Sequence, residues 1–127
     1  MNVDRLLRNL LNKLMNAQID LAAYLQLRRA KGYMSVSDND HLRENLFELC
    51  GELRHNAAAL SSSLTPEQNE ALHTAGDALA SAAVCLMTGH HDCPSFITVN
   101  PDALQRCLDI VSSNIQVMNK SAPLAHA

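Results

Sequence analysis

Apolar residues recur along this chain every three to four positions, the spacing of helices that each bury one side. In the first such stretch, about residues 3–30, Leu7, Leu10, Leu11, Leu14, Leu21, Ala22 and Leu25 fall on one face when each residue advances about 100°. Gln18, about 20° from Leu7, is the polar interruption of that face, read as a core contact or a thin point in the stripe. Arg28, Arg29 and Lys31 suit the negative end of a helix dipole, and Gly32 is a natural stop. A second stretch, about residues 38–63, opens at Ser37-Asp38-Asn39-Asp40, with Ser37 as cap, and carries Leu42, Leu46, Leu49, Leu53, Ala57 and Leu60, with Leu64 continuing the stripe. Thr65-Pro66-Glu67-Gln68 has the form of a capping box with Pro at the first helical position, so a third helix is expected over about 66–88, with the stripe Leu72, Ala75, Leu79, Ala83 and Leu86. Asn100-Pro101-Asp102 starts a fourth over about 101–120, with Leu104, Leu108, Val111, Ile115 and Met118. Ala122-Pro123 ends it, leaving residues 121–127 frayed.

Short turns after the first two helices favour antiparallel neighbours. The pattern therefore predicts a single all-α domain over residues 1–127, an up-down four-helix bundle with one long loop, Gly89–Val99, between helices three and four. Phe96-Ile97-Thr98-Val99 in that loop is the only β-prone run. Composition agrees with the helical pattern. The chain of 127 residues is 47% hydrophobic but 3% aromatic, and its apolar content is mostly Leu and Ala, strong helix formers.

A net charge of −3 argues against a nucleic-acid partner, and the basic residues of the first helix scatter around its wheel. The longest uncharged run in the middle of the chain, Ala78–His91, is shorter than the roughly 20 residues a membrane span needs. Asp4, Arg5, Arg8 and Lys13 break up any signal-peptide core, and four irregularly spaced cysteines read as reduced thiols. These features point to the cytoplasm.

Candidate chemistry is sparse. Glu52 with His55 and Glu70 with His73 repeat a Glu-x-x-His spacing that resembles the ligand pairs of di-iron carboxylate bundles. Their phase is wrong for that: Leu53 and Leu72 take the inward positions, and Asp20 and Asp109, the only mid-helix carboxylates of helices one and four, lie off their stripes. His90, His91 and Cys93 in the long loop, with Cys85 and Cys107 near in sequence, combine imidazole and thiol as zinc prefers, but they lack Cys-x-x-Cys spacing. His55 and His73 are exposed candidates for a histidine-phosphotransfer-like domain, also a small bundle. Neither is followed by the Lys-Gly pair typical of such domains, and Asp77 would repel a phosphate. Cys50 and Cys107 lie at stripe edges, where a thiol is usually inert packing.

The reading that results is a small non-enzymatic helical interaction or regulatory module without a cofactor. The alternatives are a ligand-sensing or metal-binding bundle using the loop around residues 90–93, and a phosphotransfer-like domain. Ala103, Ile110 and Val117 on helix four, with Leu6 and Tyr24 on helix one, extend beyond the stripe a monomeric bundle needs, so a homodimer is expected through those five residues.

Overall fold

The computed structural model of the protein describes residues 2–32, 34–87, 96–97 and 101–121. Four helices account for nearly all of them: α1 (Asn2–Lys31), α2 (Val36–Ser61), α3 (Pro66–Met87) and α4 (Pro101–Ser121). Two short strands, β1 (Met34–Ser35) and β2 (Phe96–Ile97), pair antiparallel with Met34 opposite Ile97. The all-α expectation is borne out. Phe96 and Ile97 of the β-prone run form this bridge, which ties the far end of the α3–α4 connection to the α1–α2 turn; the rest of the loop lies outside the described residues, as do positions 122–127.

Each helix packs on its chain neighbours, and α4 returns against α1. Cross-helix contacts fix the directions. Tyr24 meets Asn39 and Lys13 meets Glu52, so α1 and α2 run antiparallel. Asn39 reaches Leu86 while Cys50 reaches Gly76, and α2 and α3 are antiparallel as well. Arg29, near the end of α1, donates to Gln105, near the start of α4.

The core is aliphatic. Leu14 and Leu21, Leu46 and Leu60, Leu79 and Leu86, and Leu104 and Val111 are each at most 1% exposed. Each such side chain contributes about 1.5–3 kcal/mol by leaving water. The buried set follows a 3-4-3-4 spacing more closely than a straight 100° wheel: 7, 10, 14, 17, 21 and 24 on α1, and 39, 42, 46, 49 and 53 on α2. That spacing corrects four readings, one of them on α2, where Ala57 is exposed, and three on α1. Ala17, not Gln18, fills the core position in mid-α1; Ala22 is exposed; and Tyr24 is 5% exposed, within the bundle.

Helix ends match local chemistry. Gly32, at φ 86°, closes α1 through its amide to the Arg28 carbonyl at 2.8 Å. Thr65 and Gln68 form a reciprocal box, each backbone amide donating to the other's side-chain oxygen at 3.1 Å. At α2 the cap is Ser35, not Ser37: Ser35 has extended backbone and its Oγ accepts from the Asp38 amide at 3.1 Å. The helix therefore begins two residues before the acidic cluster that suggested its start.

Candidate functional site: the face shared by α2 and α3

Gly76 lies on the flank of α3 that meets α2. A Cβ there would lie 3.5 Å from Leu53 Cδ1, and Gly76 lines a cleft between the two helices of about 130 Å³. Cys50, Leu53 and Ala57 of α2 and Leu72 of α3 line its apolar floor; Arg54, Asn69, His73 and Asp77 form a polar rim. The Cys50 thiol donates to the Gly76 carbonyl at 3.6 Å. Burial pushes that thiol up from its ordinary pKa, Arg54 lowers it and Asp77 raises it again. Cys50 is thus held as a neutral donor rather than as a nucleophilic thiolate. On the rim, His73 Nε2 stands 3.3 Å from Asp77 Oδ2, both well exposed, so the pair is a solvated contact.

The cleft continues into an apolar edge. Phe47 lies two turns before Arg54 on the same face of α2, and Val84 lies two turns after Asp77 on the same face of α3. Because the helices are antiparallel, both fall at one end of the cleft. They are 41% and 52% exposed. Met15, Ile19 and Leu27 on α1 and Ile110 on α4 are also exposed, but away from this cleft.

The residues singled out from the pattern do not converge. Glu52 pairs with Lys13 of α1, His55 and Glu70 face solvent, and His73 turns to Asp77. Asp20 is exposed, and Asp109 accepts from Gln105 at 3.0 Å. Among the described residues no three His, Cys, Asp or Glu side chains gather as a metal site. His90, His91 and Cys93 lie outside the described residues. Of the five interface candidates, Ile110 is 42% exposed, Ala103 and Val117 are half-buried, and Leu6 is half-buried against the core. Tyr24 leaves the set because its hydroxyl donates to buried Asn39 at 2.8 Å.

Comparison with known proteins places this sequence in a family. The model of a family described as biofilm formation protein (YliH/bssR) matches residues 1–126. The chain belongs to the YliH/BssR family. Proteins named biofilm regulator BssR in Escherichia coli K12, Escherichia coli O157:H7 and Shigella flexneri are each 54% identical to it over 127 residues, all of this chain and all of theirs. No solved structure matches the chain. Membership makes this a small protein of a regulatory family, and no helix among its described residues is long and apolar enough to cross a membrane.

Two features of this family member escaped the pattern. Asn39 sits in what reads as a capping cluster, yet it stands three residues before Leu42 and seven before Leu46, a core spacing that marks it as buried. The cleft had no local signal, because its walls come from two helices and depend on which residues of α2 and α3 lie opposite each other.

Proposed function

We propose that this chain regulates biofilm formation by binding, without a reaction of its own, and that the α2–α3 face is its recognition surface. The regulatory part is carried by one observation, the end-to-end 54% identity with proteins named biofilm regulator. Binding is supported by a cleft with an apolar floor and charged rim, extended by Phe47 and Val84, and by Cys50 being held as a hydrogen-bonded thiol. Action in the cytoplasm fits the four cysteines.

The test is genetic. Removing the gene from its host should change surface-attached biomass, and a plasmid copy should restore it. Unchanged biomass under conditions where the host forms biofilm removes the regulatory reading.

A second reading is favoured by the size of the cleft: about 130 Å³ admits one small organic group, making the bundle a ligand sensor rather than a partner-binding module. The chain is further proposed to pair with a second copy through the α4 flank of Ile110, with Ala103 and Val117 beside it.

A further inference from the structure

Most donors around the α2–α3 cleft are committed. The Cys50 thiol donates to the Gly76 carbonyl at 3.6 Å, Asn69 Nδ2 donates to the Ser61 carbonyl at 3.0 Å, and His73 Nε2 stands 3.3 Å from Asp77 Oδ2. Arg54 lines the same cleft and is exposed, and among the described residues it enters no ion pair. Charge is also sorted around the axis of α2. Its two arginines, Arg43 and Arg54, fall within about 40° of Cys50, whereas Glu44, Glu48 and Glu52 lie about 120–200° away. Asp40 neutralises Arg43 at 2.9 Å. The uncommitted guanidinium of Arg54 therefore stands at the mouth of a cleft with an apolar floor.

The register of the two helices places the charges. Cys50 is level with Gly76, so Arg54, one turn further along α2, comes level with Leu72, one turn earlier on α3. Asp77, the carboxylate of the rim, lies more than a turn from that level and is engaged by His73. The Cys50 thiol on the floor senses both. Burial is the main influence and raises its pKa; of the two charges, Arg54, which lowers it, outweighs Asp77, which raises it. The floor of the cleft is electropositive.

We propose that this cleft binds a carboxylate borne on a compact apolar body. The body rests on Leu53 and Leu72, and the carboxylate takes the planar fork of Arg54. A volume of about 130 Å³ is close to the roughly 150 Å³ that accommodates benzene, so the body holds about four to six carbons. A lone cation with Asp77 on the same rim suits a monoanion, since a phosphate dianion would be repelled by that carboxylate. This assignment rests on the α2–α3 face being the recognition surface and names what the face recognises. Such a carboxylate comes either from a free organic acid or from the carboxyl-terminal residue of a partner protein.

The test is a titration of the isotope-labelled full chain followed by NMR. The probes are isovalerate with its amide, and N-acetyl-leucine with its amide. At least one acid should shift the Gly76 and Leu53 amide signals saturably, and its amide should bind about tenfold more weakly or worse, the loss expected when a charge-assisted hydrogen bond is removed. Arg54→Gln should weaken the acid by a similar factor at unchanged melting temperature, Arg43→Gln should change nothing, and Gly76→Leu should block binding. Tighter binding of N-acetyl-leucine than of isovalerate assigns the site to a protein terminus, and the reverse order assigns it to a free acid. Equal binding of acid and amide, full binding by Arg54→Gln, or no saturable shift with either acid at tens of millimolar overturns the proposal. Such a failure leaves the recognition face standing when exposed-edge variants at Phe47 and Val84 still lose complementation, whereas complementation by those variants strikes the face itself.

Discussion

The Tyr24 hydroxyl donates to Asn39 Oδ1 at 2.8 Å inside the bundle, and Asn39 passes the connection on to the Leu86 carbonyl. The Leu86 carbonyl lies in the last described turn of α3, and Asn39 gives it a donor from the neighbouring helix. Tyr24→Phe strands one buried acceptor and should lower stability by about 1–3 kcal/mol in urea unfolding. Asn39→Ala strands both the hydroxyl and the carbonyl, and the larger loss is expected there.

The same hydroxyl should give an alkaline signature. Burial, the largest cause, raises the Tyr24 pKa to about 12, with Arg28 lowering it and Asp38 raising it. An unfolded tyrosine ionises near about 10. The neutral, buried form therefore favours the folded state fully below pH 10, and its contribution is lost as pH rises through about 12. Ultraviolet titration in a Tyr33→Phe background should show one late-ionising tyrosine, while unfolding free energy falls over that window. Titration at the ordinary tyrosine value would show that Tyr24 is not buried.

Gly76 separates stability from recognition. A Cβ there meets only Leu53 Cδ1, at an ordinary contact distance, and Ala is the better helix former. Gly76→Ala should stabilise the chain by about 0.5–1 kcal/mol. The longer side chain of Gly76→Leu should occupy the cleft and impair complementation of biofilm formation. Full activity from a folded Gly76→Leu protein would remove the cleft from the account.

Self-association is best probed at Ile110. Val117 and Leu6 pack partly against the core, so charging them would confuse folding with assembly. Ile110, 42% exposed, can take Lys without that cost. Light scattering during size-exclusion chromatography should find wild type as a dimer at micromolar concentration and Ile110→Lys as a folded monomer. A monomeric wild type contradicts the pairing.

The fold was legible because local signals agreed. Gly32 stops α1, the Thr65–Gln68 box starts α3, and Leu stripes mark the buried side of every helix. What went astray came from applying a straight wheel to helices whose buried positions repeat by sevens. Over the 17 steps from Leu7 to Tyr24 that wheel drifts by about 50°, enough to move Tyr24 from core to flank. Ser35 is hidden as a cap in the sequence because the acidic run after Ser37 has its own first-turn signature. The cleft depends on inter-helix register, which no window of neighbouring residues contains.

The central claim, regulation through the α2–α3 face, is tested most directly by Phe47→Lys combined with Val84→Glu. Both side chains are exposed, so the double variant should keep the wild-type circular dichroism and melting temperature. Expressed at native level in a strain lacking the gene, it should leave biofilm mass at the level of the empty vector, while Ile19→Lys, on exposed α1 surface, restores it. A folded double variant that complements like wild type would contradict the account.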